Sequence, residues 1–211
     1  SQSFNISAYS ERFIFDVLKI DFLYISFLNL VGGIWDVIND VFIGTIVDKT
    51  RTRWGKFKPY LIIFAVPGTI LGCLYWLMPV FFPHKPGTDI PKFIAYFALS
   101  VITETMGTFR GIAQTGMLAT ITPHPVDRTR LITLATVLSG FLGERIPELL
   151  MTLLIDGINM GKINLQMQST YIIMGIFTTV VSGGLALYFL FVTRERVMQS
   201  IERPSILQGL K

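Results

Sequence analysis

Long apolar runs separated by short polar segments make up most of this chain. Five runs are near or above the roughly 20 residues that a helix needs to cross a bilayer. They cover residues 22–47, 60–82, 93–119, 131–155 and 171–192. A shorter run, residues 4–17, is interrupted by Glu11 and Arg12 and looks like the outer end of a helix whose beginning is missing. Because backbone groups in lipid must be hydrogen-bonded within their own segment, and the alternation of barrel strands is absent from the sequence, the pattern predicts an all-α membrane protein.

Composition supports a membrane protein. Of the 211 residues, 51% are hydrophobic and only 15% are charged, whereas soluble domains carry about a quarter charged residues. The net charge of +4 does not indicate a nucleic-acid partner, because the basic residues cluster in short segments between apolar runs. Cys73 is the only cysteine, which excludes an intrachain disulfide. Trp54, Tyr75 and Trp76 lie near span ends, where interfacial aromatic belts are expected.

The basic residues predict the orientation. The segment 48–59 has five Lys or Arg residues, residues 122–130 include Arg128 and Arg130, and the tail 193–211 is also basic. The alternate connections, 83–91 and 156–168, hold one lysine each. By the positive-inside rule the basic loops and the tail face the cytoplasm. We therefore divide the chain into a transmembrane bundle, residues 1–192, and a cytoplasmic tail or start of a central loop, residues 193–211.

Three polar side chains inside the first long run are the most informative. Asp36, Asn39 and Asp40 are spaced i, i+3 and i+4, which places them on one helix face. Ionisable groups in a membrane helix are costly and usually mark an ion or substrate path. Carboxylate and amide oxygens suit hard cations, so the pattern predicts a Na⁺ or H⁺ coupling site. The alternatives are carboxylates satisfied by neighbouring helices, or a span displaced by several residues.

A second group of residues lies where this helix meets the basic loop. Gly44 and Asp48 close the helix, and Arg51, Arg53 and Lys56 follow. An acid at a helix end beside basic residues is suited to hold two helices together in one conformation of a rocking carrier. A loop that only follows the positive-inside rule would explain the charges, but not Gly44 and Asp48.

Further ionisable residues interrupt the later runs, and arginine and carboxylate side chains are suited to bind hydroxyls or a carboxylate of a polar solute. The alternative is internal pairing that only satisfies buried charge, since Arg145 and Glu148 are i, i+3. Pro147 predicts a kink or a freed carbonyl in the fifth helix. The residues are Glu104, Arg110, Glu144, Arg145 and Glu148.

One stretch carries a family resemblance. The sequence from Trp35 to Asp40, followed by Gly44, Asp48 and the segment 50–59, resembles the second helix and first cytoplasmic loop of the glycoside-pentoside-hexuronide:cation symporters. This family, typified by the melibiose carrier, belongs to the major facilitator superfamily. The resemblance is strong over about residues 30–60 and looser elsewhere. It implies the amino-terminal six-helix bundle of a carrier, with an incomplete first helix and a carboxy-terminal half of the same carrier as partner.

The resemblance also implies site residues, with departures. Asp36, Asn39 and Asp40 match the family's cation site, and Thr108 falls where a fourth-helix threonine joins it. Gly111 stands where the family has a sugar-binding aspartate, the first-helix aspartate would precede Ser1, and the fifth-helix arginine has no counterpart in residues 133–136. A galactoside-type sugar site is therefore not carried over. The candidates for substrate binding are Arg110, Gly111, Glu144, Arg145 and Glu148.

The predicted function is Na⁺- or H⁺-coupled symport of a sugar or glycoside across the cytoplasmic membrane, with no cofactor beyond the coupling cation. The alternative is a membrane structural or assembly fragment, derived from such a carrier, that no longer transports. An enzyme using Glu144 and Glu148 as acid and base has no supporting motif, so no enzymatic activity is expected. A hexuronide held by Arg110 and Arg145, or a non-sugar amphiphile, stays open as the solute.

Overall fold

The computed structural model describes residues 4–52, 54–83, 89–120 and 124–192, and these ranges are helical apart from short connections. Helix α1, residues 7–18, combines a 3-10 turn, an α-turn and the π-helical segment Phe13–Leu18. Helix α5, residues 125–159, is continuous through a π-helical segment, Ser139–Arg145. The other helices are α2 (Phe22–Lys49), α3 (Lys58–Phe81), α4 (Asp89–Thr120) and α6 (Met167–Val192). The all-α prediction is confirmed. The predicted tail, residues 193–211, lies outside the described residues.

Three of the described helices, α2, α3 and α6, are long and apolar enough to cross a membrane. Helices α4 and α5 have the necessary length, but each contains ionisable residues near its middle, such as Glu104 and Glu144. Many large apolar side chains point away from the bundle and are exposed, among them Phe22, Ile63 and Phe191. This distribution suits a protein whose outer surface contacts lipid.

Helix α3 occupies the middle of the bundle. It packs against α6 on one side and α4 on the other, while α2 packs on α4 and α5 packs on α6. The α3–α6 contact depends on glycine: a Cβ atom at Gly175 would overlap the Trp76 ring, and one at Gly183 would overlap Thr69. Small residues at such positions let two membrane helices approach closely. Trp76 is buried in this contact rather than exposed in an interfacial belt, so that expectation was wrong.

Two separate apolar clusters form the core. One includes Phe13, Trp76 and Tyr171 near one end of the helices, and the other includes Ile43, Leu61 and Met117 near the opposite end. Between them, the middle turns of the helices carry the polar and ionisable residues described below. The fold therefore sets a polar layer between two apolar ones.

Helix α5 is locally disrupted around Pro147. A proline has no N–H to donate to the carbonyl four residues earlier, here that of Gly143. In the structure the backbone N–H of Asn5 donates to the Gly143 carbonyl at 3.0 Å. The predicted freed carbonyl is confirmed, and its partner comes from the segment that leads into α1.

Candidate functional site

The contact between α2 and α4 is lined by polar groups at successive turns. Trp35 donates from Nε1 to Oγ1 of Thr105 at 3.1 Å, and Asn39 donates from Nδ2 to Oγ1 of Thr108 at 3.4 Å. Residue numbers increase together along both helices, so α2 and α4 run parallel. Asn39 is buried. The structure thus brings together Asn39 and Thr108, which the sequence assigned to one cation site.

Asp36 lies one turn earlier in α2 and lines a cavity of about 630 Å³ between α2, α3 and α4. Glu104 of α4 lines the same cavity, so two carboxyl groups from different helices share one space. The rest of its lining includes hydroxyl and aromatic groups from α3 and α4, among them Tyr75, Tyr96 and Ser100. The cavity therefore combines two carboxyl groups with hydroxyl groups and with apolar and aromatic walls.

Asp40, the third member of the predicted trio, is exposed and does not line this cavity. Within the described ranges, no three Asp, Glu, His or Cys side chains are grouped closely enough to hold a metal ion by themselves. A cation at this place would therefore also need amide or hydroxyl oxygens, which Asn39 and Thr108 supply from the adjacent turn.

Arg110 lies in a different, smaller cavity. This space of about 170 Å³ is bounded by α3, α4, α6 and the start of the described chain, and hydroxyl groups such as Thr179 and Ser182 line it. Gly68 makes room for the guanidinium, since a Cβ atom there would lie 3.3 Å from Nη1 of Arg110. Gly111, the next residue, is exposed. The predicted substrate residues of α4 therefore do not share the cavity of Asp36.

The candidates on α5 form a pair of their own. Nη1 of Arg145 lies 3.3 Å from Oε2 of Glu148, and the two side chains are 76% and 18% exposed. The pairing matches the alternative in which these charges satisfy one another. Glu144 is half-buried within the π-helical segment.

At the end of α2, two residues of the predicted latch form an ion pair. Nζ of Lys56 lies 2.7 Å from Oδ1 of Asp48, whose side chain is 64% exposed. Arg51 donates from Nη1 to the carbonyl of Thr50 at 3.2 Å and does not reach Asp48. Gly44 is half-buried one turn before Asp48, and Arg53 lies outside the described residues.

The sequence identifies Glu104 as a charge within a membrane run but does not place it beside Asp36. Its spacing to Thr108, i and i+4, is a signal that would have put both on the α2-facing side of α4. The contribution of Tyr75 and Tyr96 depends on how α3 and α4 pack, which their local sequence does not reveal.

A bundle of membrane-length helices, with a polar layer between two apolar ones, is the architecture of a polytopic membrane protein. The family model for "MFS/sugar transport protein" matches residues 3–210, and the chain belongs to this family, the sugar:cation symporters recognised above. It is a multi-pass membrane protein of a transporter family and not an enzyme.

Individual relatives agree with this assignment. The chain is 34% identical to the "Uncharacterized symporter YnaJ" of Bacillus subtilis over 193 residues, which is 91% of the chain and 40% of that relative. It is 30% identical to the "Isoprimeverose transporter" of Lactiplantibacillus pentosus, over 67% of the chain and 28% of the relative. The "Inner membrane symporter YicJ" of Escherichia coli is 28% identical over 92% of the chain and 40% of the relative. The chain spans less than half the length of these relatives.

Proposed function

We propose that this chain is the amino-terminal part of a symporter that couples Na⁺ or H⁺ to the uptake of a sugar or glycoside across the cell membrane. The observation that carries the proposal is the contact of Asn39 with Thr108, one turn from Asp36 in an acidic cavity. The cation-site residues are thus next to a space large enough for a small solute. The relative named for isoprimeverose transport supports a sugar as that solute.

In the proposed mechanism, a cation bound by Asp36, Asn39, Asp40 and Thr108 neutralises the carboxylates and favours solute binding in the cavity. Each ligand can shift the equilibrium between the inward-facing and outward-facing states only by the difference in its affinity for the two states. Asp36 is the residue that joins the two events, since it lines the cavity and lies one turn from Asn39. We place Asp40 at the edge of the site, where the carboxy-terminal half of the carrier would cover it.

The orientation we propose has the loop from α2 to α3 and the basic tail in the cytoplasm, as their lysines and arginines predict. In this orientation the ion pair of Asp48 with Lys56 lies at the cytoplasmic end of α2. We propose that it is part of a latch, with Gly44, Arg51 and Arg53, that steadies one facing of the carrier.

The test of the cation site is Asp36→Cys in the complete carrier. We expect uptake of labelled glycosides to lose its stimulation by Na⁺ or by a proton gradient, because the remaining oxygens of the site carry less negative charge. The matched control is Asp16→Cys, which removes an exposed acid of α1. Uptake that Asp36→Cys leaves as cation-dependent as before would contradict the assignment. No glycoside uptake by the unaltered carrier would favour the alternative of a membrane protein that does not transport.

A further inference from the structure

The carboxylate of Glu104 approaches α2 at a glycine. A Cβ atom added at Gly32 would be 3.8 Å from Oε2 of Glu104. Gly32 and Asp36 are i and i+4 on α2, so the carboxylate of Glu104 approaches that helix one turn from Asp36. Glu104 itself is one turn before Thr108 on α4. Its carboxyl group therefore lies about one helical turn from the Asn39–Thr108 contact, in the lining of the cavity.

Part of the cavity lining is aromatic, with rings from α3 and α4. The ring centroids of Tyr75 and Trp76 are 5.1 Å apart, and those of Tyr75 and Tyr96 are 6.0 Å apart. Hydroxyl and amide groups of Ser100, Thr103 and Asn29 complete the lining. Rings provide a flat apolar surface, while carboxylates accept hydrogen bonds from hydroxyl groups. A sugar ring, with apolar C–H faces and a rim of hydroxyls, is complementary to both.

The charges of the cavity limit which solutes it accepts. Asp36 and Glu104 both line it, and no lysine or arginine is among its described lining residues. Arg110 lines the other cavity, and Arg145 is paired with Glu148. An anionic solute in this space would face two carboxylates without a countercharge among the described lining residues, and like charges at close range repel.

We propose that Glu104 is a specificity-determining residue that binds hydroxyls of an uncharged glycoside and excludes uronates. This inference rests on the proposed function and gives its substrate class. In the proposed mechanism Asp36 binds the cation. Glu104 lies outside the predicted cation set, and its carboxylate oxygens accept hydrogen bonds from the solute. Glu104 thereby supplies a carboxylate to the proposed sugar site, whose lining does not include Gly111.

The experiment measures how matched glycosides are taken up, and how they compete with one another for uptake, by the complete carrier reconstituted in vesicles. The neutral probes are the methyl glucoside, galactoside and xyloside, and the acidic probes are the methyl glucuronide and galacturonide. We expect the unaltered carrier to take up at least one neutral probe, and the acidic probes to compete poorly. Glu104→Gln should lower the affinity for the neutral probe by about tenfold, the usual effect of losing a hydrogen bond to a charged group. The same substitution should strengthen competition by the acidic probes.

Glu11→Gln is the control, because it makes the same chemical change at an exposed acid of α1. Equal amounts of carrier in the vesicles, with cation stimulation retained in Glu104→Gln, show that the variant folds and keeps the cation site. Preference for a uronate by the unaltered carrier, or unchanged neutral binding in Glu104→Gln, overturns the inference while leaving the symporter function in place. Absence of uptake for every probe overturns both.

Discussion

At the scale of single residues, Lys92 shows how this chain accommodates a buried charge. Its side chain is only 1% exposed, and Nζ lies 3.3 Å from Oδ1 of Asp89, which is 55% exposed. The same Nζ donates to the carbonyl of Lys19 at 3.5 Å. Lys19 ends α1 in a left-handed conformation, with φ of 52°. Lys92 therefore connects the start of α4 to the turn between α1 and α2.

This arrangement predicts the effect of Asp89→Asn. Removing the partner of a buried charge is strongly destabilising, and because Asp89 is half exposed we expect a loss on the order of 2 kcal/mol. The double variant Asp89→Asn with Lys92→Met should recover most of the loss, because no buried charge then lacks a partner. The measurement is thermal unfolding of the purified complete carrier in detergent.

Asp127→Asn is the control for that cycle, since Asp127 is also an exposed acid in the first turn of its helix. It should change the unfolding midpoint little. If Asp89→Asn alone is as stable as the unaltered protein, or if the double variant is no better than the single one, Lys92 does not depend on Asp89.

How much a sequence predicts at this scale depends on whether the contact is local. Helical spacing alone predicted that Arg145 and Glu148 share a face, and the ion pair at 3.3 Å confirms it. The pairing of Asn39 with Thr108 came from the family resemblance, not from spacing. The meeting of Asp36 with Glu104 in one cavity was not predicted, because residues on separate helices approach only through tertiary packing.

At the scale of helices, apolar runs predicted each element and its approximate extent. Most described helices continue a few residues beyond the apolar run, as α2 does to Lys49 and α5 does to Asn159. The backbone hydrogen bonds of a helix continue past the apolar segment when capping or packing supports them, so hydropathy underestimates its length. The π-helical segments of α1 and α5 had no comparable signal.

The α3–α6 contact gives a prediction at this scale. Gly175→Ala should destabilise the carrier by about 1–3 kcal/mol, because the added methyl overlaps the buried Trp76 ring and a well-packed contact cannot absorb it freely. Thermal unfolding in detergent would measure the loss.

Gly184→Ala is the matched control, since α6 has open space at that position. It should be neutral or stabilising by up to about 1 kcal/mol, because alanine is the better helix former. Equal effects of the two substitutions would mean that the α3–α6 approach does not depend on Gly175.

At the scale of the whole molecule, the polar residues form a layer between two apolar ones. Apolar clusters at the two ends of the bundle hold the helices together, and the ionisable groups of α2 and α4 lie between them. Hydropathy predicted which helices carry polar residues, but not that the carboxyl groups divide between two cavities. That division depends on which helices α3 contacts.

The proposed latch predicts an effect on the whole transport cycle. Asp48 is exposed while Lys56 is only 13% exposed, and an ion pair that reaches the surface is worth about 0.2–1 kcal/mol. Reversing one charge with Asp48→Lys or Lys56→Asp should therefore slow initial uptake by about two- to fivefold. The double swap restores opposite charges and should return the rate to within about twofold of the original. Initial rates of glycoside uptake, normalised to carrier content, provide the measurement.

Lys49→Asp is the control for the latch, because it changes charge beside Asp48 without a described ion pair. Its rate should stay near that of the unaltered carrier. A double swap as slow as the slower single variant would show that the charges act separately and that Asp48 and Lys56 are not a latch.

The hydrogen bond from Asn5 to Gly143 has a mechanical consequence. The carbonyl that Pro147 leaves free in α5 accepts a hydrogen bond from Asn5, just before α1, and a second hydrogen bond joins the hydroxyls of Tyr9 in α1 and Thr152 in α5 at 2.5 Å. The two hydrogen bonds lie on either side of Pro147. If α5 tilts, α1 must therefore move with it or one of these hydrogen bonds must break. The two hydrogen bonds thus couple the motions of α1 and α5.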